Sequence, residues 1–263
     1  MESSLDLLAI LKDPRSVVAE GYRGVRTSLQ RALANDVKTI MFVSTYGGDG
    51  KSMVCANVSV ALTQLFLDVV LVDGDLRRPT LTNLFDGVDH PGLGDYLAGT
   101  IPLEQAIMPT SIERLRLVPA GQVHENPGDL LARPAVASFC AGISKMADAV
   151  IFDTSPISAC NDAFSIGQHI DTTIMVISPR RWDGDVEVRI RQALEQHKVP
   201  LMGVVLNGSA PGESYAGPYG YGTKTKSDYG YGYYGYEQEG SAKGPARKRS
   251  FWSRLKGLFG PET

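Results

Sequence analysis

Up to about position 208 the chain alternates short apolar runs with stretches of helical periodicity. The runs are KTIMFVS (38–44), VVLVDGD (69–75), LRLVPAG (115–121), AVIFD (149–153), TTIMVIS (172–178) and LMGVVLN (201–207). They are continuous rather than alternating, which suits strands of a parallel sheet covered on both faces. Helix-length segments at 51–66, 128–146 and 183–197 separate them. Strand–helix alternation predicts an α/β fold with a doubly wound, mostly parallel sheet. In such a sheet ligands bind beyond the C-terminal ends of the strands.

Two further patterns flank this core, giving four predicted segments: 1–36, 37–208, 209–240 and 241–263. Within 1–36, Val18, Tyr22, Val25, Leu29 and Leu33 recur at steps of three or four and predict one apolar stripe on a helix. Glu20, Arg23 and Arg26 lie beside that stripe, a spacing that by itself reads as a solvated face with one Glu–Arg pair. In 209–240 aliphatic residues nearly vanish, and eight of the chain's eleven tyrosines crowd into 215–236 between glycines. Such a composition does not bury enough to offset its ordering entropy, so a flexible tail is expected. The final segment carries RKRSFWSRLKGLF (247–259), with Phe251, Trp252, Leu255, Leu258 and Phe259 at helical spacing. A short interfacial helix on anionic lipid and a partner-docking peptide both fit it.

Composition narrows the function classes. The 263 residues hold 26 Lys and Arg against 29 Asp and Glu, a net charge of −3 that argues neither for nor against a polyanion partner. Few basic residues stand among the tail tyrosines, so no nucleic-acid partner is expected. Cys55, Cys140 and Cys160 have no CxxC spacing and the four histidines are isolated, which argues against a cage of protein metal ligands. The N-terminus carries acids where a secretory signal carries Lys or Arg, and no apolar run reaches the ~18 residues of a membrane span. A cytoplasmic protein is expected, anchored by something else if it works at a membrane.

The chemistry starts after the first strand, at Ser44, Thr45, Tyr46, Gly47, Gly48, Asp49, Gly50, Lys51, Ser52 and Met53. A glycine turn between strand and helix lets backbone N–H groups wrap a phosphate chain, aided by the positive helix end. Lys51 is expected on the β- and γ-phosphates and the Ser52 hydroxyl on Mg²⁺. Thr45 stands where the strict GxxxxGK[ST] pattern has its first glycine. In VVLVDGDLRRP (69–79), Asp73 and Asp75 share a face at a strand's end, one suited to metal and one to accepting a hydroxyl proton. AVIFDTSP (149–156) places Asp153 where a second metal acid belongs.

These motifs resemble the cytoplasmic catalytic domain of bacterial tyrosine kinases of the capsular and exopolysaccharide type. YGGDGKS matches the family's deviant Walker A loop, DGDLRRP its aspartate-pair motif, DTSP its Walker B end with Ser155 for a proline, and ENPGDLL (125–131) its Asn-Pro-x-Glu-Leu-Leu segment. EGYRGVR (20–26) fits the Glu-x2-Arg-x2-Arg pattern that mediates ring assembly in these kinases, which overturns the solvated-face reading of Glu20, Arg23 and Arg26.

The resemblance implies a non-specific protein-tyrosine kinase using ATP and Mg²⁺. Lys51, Asp73 as base, Asp75 and Arg77 are its catalytic candidates; Ser52, Asp75 and Asp153 hold the metal; Asn207 meets the adenine edge. The phosphoacceptors are Tyr215, Tyr219, Tyr221, Tyr229, Tyr231, Tyr233, Tyr234 and Tyr236, modified in trans within a homo-oligomeric ring. It further implies a transmembrane polysaccharide co-polymerase as activator, a phosphotyrosine phosphatase as antagonist, and recruitment to the inner face of the membrane by a partner. The alternative is a non-kinase P-loop ATPase of the partitioning or septum-site type, a spatial regulator. Those relatives carry a signature lysine where this chain has Tyr46.

Overall fold

The structure is a computed structural model that describes residues 4–208; the tail tyrosines and the basic segment at 241–263 lie outside the described residues. The described chain belongs to one compact unit. Its first part holds α1 (Ala9–Lys12), α2 (Val17–Leu33), β1 (Thr39–Ser44), α3 (Lys51–Thr63), β2 (Val69–Asp73), α4 (Thr80–Leu84) and α5 (Leu93–Ala98). Then come β3 (Met108–Pro109), β4 (Leu115–Val118), α6 (Pro127–Leu131), α7 (Ala135–Ile143) and β5 (Ala149–Asp153). The chain closes with α8 (Asp162–Gly167), β6 (Thr172–Ile177), α9 (Asp185–Gln196) and β7 (Leu201–Leu206).

The seven strands form one sheet in the order β3-β4-β2-β5-β1-β6-β7, parallel except for the antiparallel β3–β4 edge. All six expected strands are present. β3 is a two-residue edge strand containing Pro109, too short for any periodicity to reveal. Every residue of β1, β2, β5 and β6 is buried, as their unbroken apolar runs require. The expected single helix over 128–146 is instead α6 and α7. Pro134 occupies the N-cap of α7, where the missing N–H and fixed φ of proline stop one helix and start another.

The N-terminal helices are part of the core. Leu8, Ile10, Ala19 and Leu29 are fully buried in the same cluster as α3 and the sheet, with Tyr22, Val25 and Leu33 packed against it. Val18, expected on the stripe, is 54% exposed, and Ala19 takes the inward place. The Ser16 side chain caps α2 by accepting from the Ala19 N–H at 3.1 Å.

β1 sits between β5 and β6, so the loop leaving its C-terminal end opens at the point where the chain switches direction across the sheet. β2 and β5 pair in register with Asp73 beside Asp153. Gly74 then lets β2 leave closely past β5. Its N–H donates to the Asp153 carbonyl at 2.8 Å, and a Cβ there would lie 2.6 Å from that oxygen. The middle residue of DGD is glycine because backbone fills the space a side chain needs.

Candidate active site

A cleft of about 660 Å³ opens over the C-terminal ends of β1, β2 and β5. One wall is the glycine turn itself, Gly47 through Met53; the other includes Asp75, Arg77, Arg78 and Ser155. Gly48 and Gly50 adopt φ of +86° and +84°, which turns successive N–H groups into the loop. Gly50 caps α3 without a side chain, so the amides of the helix's first turn stay available to an anion. An oxygen-rich phosphate chain fits that cradle.

Lys51 is nearly buried, and its Nζ makes an ion pair with Asp153 Oδ1. Burial pushes the ammonium's pKa down, but the carboxylates of Asp153 and Asp75 outweigh it and hold the pKa above the usual lysine value. Asp153 is fully buried, and its second oxygen, Oδ2, has no hydrogen-bond partner. Ser52 and Asp75 line the cleft. Hard oxygen donors of this kind, with one buried carboxylate oxygen left unsatisfied, fit Mg²⁺.

Asp73, the expected base, lies behind the cleft rather than on its lining. It is fully buried; its Oδ2 accepts from the Thr82 N–H at 2.7 Å and from the Thr82 hydroxyl at 2.8 Å. Strand pairing sets it against Asp153, and burial followed by that neighbouring charge pushes its carboxyl up to about 7 despite the Thr82 bonds. β2 ends at Asp73 and Gly74 follows, so strand alternation does not extend to Asp75; both carboxylates act on Lys51, but only Asp75 lines the cleft. Asp75 is therefore the carboxylate of the pair that faces the cleft. Its Oδ1 accepts from the Ser155 hydroxyl at 2.7 Å and the Arg78 N–H at 3.1 Å. The departure from the family motif at Ser155 thus supplies the group that orients Asp75.

Arg77 reaches the cleft, but Asp162 grips it in a bidentate pair, Nε–Oδ2 2.8 Å and Nη2–Oδ1 3.2 Å. Asn207 does not line the cleft. Its Nδ2 donates to the Asp49 carbonyl at 2.9 Å, so in this structure it holds the phosphate loop rather than presenting a free edge to a base. Two residues with no signal in the motif do likewise. Arg181 donates through Nη1 to the Gly47 carbonyl, and Glu187, buried in α9, accepts from the Thr45 hydroxyl at 3.2 Å. Alternate positions 45, 47 and 49 of the loop are thus tied to side chains from the last third of the fold. The Tyr46 N–H closes the turn on Asp49 Oδ2 at 2.8 Å.

Burial raises the Glu187 carboxyl above its ordinary value, against the lowering effect of the Thr45 bond, and its Oε2 has no partner. A raised carboxylate binds its proton more tightly folded than unfolded, so its cost appears as pH climbs above the unfolded value near 4.3. Glu187→Gln, which retains an oxygen for Thr45, is expected to raise the thermal midpoint at pH 8 more than at pH 4.5. Equal shifts at both pH values contradict this.

On α2, Glu20 and Arg23 pair at 2.5 Å, Arg23 also donates to the Pro14 carbonyl at 2.7 Å, and Arg26 donates to the Ala61 carbonyl of α3 at 3.3 Å. All three predicted oligomerisation residues therefore have partners within the chain. Glu20 is the most open, its side chain 65% exposed. No helix among the described residues is long and apolar enough to cross a membrane.

A family profile described as "ParA: NUBPL iron-transfer P-loop NTPase" matches residues 36–213. The tyrosine-protein kinase YwqD of Bacillus subtilis is 32% identical over 199 residues, covering 75% of this chain and 84% of that protein. The tyrosine-protein kinase Wzc of Salmonella typhi is 32% identical over 219 residues, covering 82% of this chain but 30% of that longer protein. The solved kinase domain of Escherichia coli tyrosine kinase ETK superposes with a TM-score of 0.74 at 28% identity, covering 86% of this chain and 84% of that domain.

Proposed function

The chain belongs to the bacterial protein-tyrosine kinases built on the P-loop NTPase fold, and from that premise we propose that it phosphorylates its own C-terminal tyrosines. The observation that carries the reading is the joining of the glycine turn, Lys51, Ser52 and Asp75 around one cleft, in a chain whose next segment holds eight tyrosines. Ser52 and Asp75, with Asp153 behind, would hold Mg²⁺, which when bound would neutralise charge on the phosphates. The loop amides and Lys51 fix the triphosphate and stabilise charge on the transferring group. The tyrosyl oxygen bonds to the γ-phosphorus while the bond to the bridging oxygen breaks and ADP departs. The phenolic proton leaves to solvent, while Ser155 orients the Asp75 carboxylate toward the metal. A loose transition state asks little of a base, so the transfer does not depend on a dedicated carboxylate acceptor.

Phosphorylation acts in trans in this account. A mixture of wild-type chain and full-length Lys51→Met acceptor, with the acceptor isotopically marked, is expected to yield phosphotyrosine on the acceptor; label confined to the wild-type chain contradicts it. The ParA-type family profile keeps one other reading in view, a nucleotide-switched ATPase that phosphorylates nothing. Phosphate release without phosphotyrosine in the same assay supports that reading instead.

The same reading places the kinase in control of capsule or exopolysaccharide synthesis or export, which accords with its resemblance to kinases of that type. A transmembrane polysaccharide co-polymerase activates it and recruits it to the inner membrane face, and a phosphotyrosine phosphatase resets it. Subunits assemble as a ring through Glu20, Arg23 and Arg26. Each phosphate adds about −1.5 to −2 of charge at neutral pH, and repulsion between modified tails opens the ring. Glu20→Ala with Arg23→Ala is expected to shift the light-scattering mass to monomer while moving the thermal midpoint by only a few degrees, since exposed pairs contribute little to stability. An unchanged assembly contradicts the assignment.

A further inference from the structure

Beyond Asp75 the chain brings two arginines to the cleft, and they are differently engaged. Arg77 is neutralised by the bidentate grip of Asp162. Arg78 is exposed and lines the same cleft, yet no carboxylate among the described residues pairs with its guanidinium. Its own N–H is fixed on Asp75 Oδ1, so its guanidinium projects from the residue that touches the proposed metal ligand. It is an exposed positive charge on the lining of the cleft in which the tyrosyl group is proposed to react.

The chain's own acceptor segment has a matching charge pattern. Residues 209–240 contain four acids, and three stand within two positions of a tyrosine: Glu213 before Tyr215, Asp228 before Tyr229, and Glu237 after Tyr236. Tyr219, Tyr221, Tyr231, Tyr233 and Tyr234 have only uncharged residues within two positions on either side. Both lysines of the segment, Lys224 and Lys226, fall in the gap between Tyr221 and Tyr229.

We propose that Arg78 is a specificity-determining residue that selects acceptor tyrosines flanked by Asp or Glu, pairing its guanidinium with the flanking carboxylate as the hydroxyl enters. The inference rests on the kinase reading and adds its substrate class, an acidic tyrosyl peptide. Guanidinium–carboxylate pairs combine charge with a two-pronged hydrogen-bond geometry that a lysine does not reproduce. The site is open to solvent, so screening keeps the preference modest, about 1.5-fold to fivefold in rate.

The test is residue-resolved mass spectrometry of the full chain during the first turnovers with Mg·ATP. In the wild type, Tyr215, Tyr229 and Tyr236 acquire phosphate ahead of the other five. Asp228→Asn brings Tyr229 down to the rate of Tyr231 and leaves Tyr215 leading. Arg78→Ala removes the lead of all three, and Arg78→Glu combined with Asp228→Lys restores it at Tyr229 alone. Affinity for a fluorescent Mg·ADP analogue in Arg78→Ala stays within about twofold of wild type, below the tenfold that one lost phosphate contact of ordinary strength produces. An order of modification indifferent to Arg78 and Asp228 overturns the proposal. So does a large loss of Mg·ADP affinity with the order intact, which makes Arg78 a phosphate ligand. Absence of phosphotyrosine from the wild type removes the kinase reading itself, and the inference with it.

Discussion

Lys51→Met is expected to abolish tyrosine phosphorylation and also to weaken the fold. The first effect follows from position: Lys51 opens α3 at the floor of the phosphate cradle, where its ammonium faces the phosphates. The second follows from Asp153, which is fully buried and loses the cation it pairs with among the described residues. Breaking a buried pair by removing one member costs about 3–5 kcal/mol, because the remaining charge is left uncompensated. The two effects are separable. Lys51→Met with Asp153→Asn is expected to recover much of the lost stability in chemical denaturation while phosphotyrosine stays undetectable. A single variant as stable as wild type contradicts the buried pair; a double variant with activity contradicts the role of Lys51.

Gly50→Ala is expected to have the next largest effect, a loss of Mg·ADP affinity of about a hundredfold, corresponding to roughly 3 kcal/mol. Two costs combine. A left-handed backbone at φ +84° is unfavourable for alanine by about 1–2 kcal/mol. The added methyl would also lie 2.1 Å from Asn207 Nδ2, so either the turn or the Asn207 clamp must move. Asn207→Ala alone loses the bond to Asp49 and leaves the glycine free, so its loss of affinity is expected to be smaller. Gly50→Ala combined with Asn207→Ala then recovers part of the defect. Calorimetric titration of the three variants decides it, and a Gly50→Ala affinity equal to wild type refutes the close contact.

Much of this architecture is legible in the sequence, for identifiable reasons. Strands buried on both faces have to be unbroken apolar runs, so β1, β2, β5 and β6 announce themselves, whereas β3 is two residues at an edge and has no period. The phosphate loop is readable because left-handed turns demand glycine, and Gly74 because β5 backbone fills the space beside it. What reads wrongly depends on where a strand stops. Extending β2 through Asp75 places both aspartates on one face; ending it at Asp73 buries the first behind Thr82 and presents only the second. What does not read at all is long range. Glu187 lies 142 positions from Thr45, and Arg181 lies 134 from Gly47, and each is an ordinary charged residue in its local setting. Ser155 reads as a defect in a proline motif until the fold sets its hydroxyl on Asp75.

The central claim is that the turn at 47–50, Lys51, Ser52 and Asp75 hold one Mg-bound triphosphate and pass its terminal phosphoryl group to tyrosine. Incubating the full chain with Mg²⁺ and γ-labelled ATP, then locating the label by residue, tests it most directly. The account predicts label on tyrosines within 215–236 that disappears in Asp75→Ala. Label recovered solely as free inorganic phosphate, or tyrosine label that persists in Asp75→Ala, contradicts it.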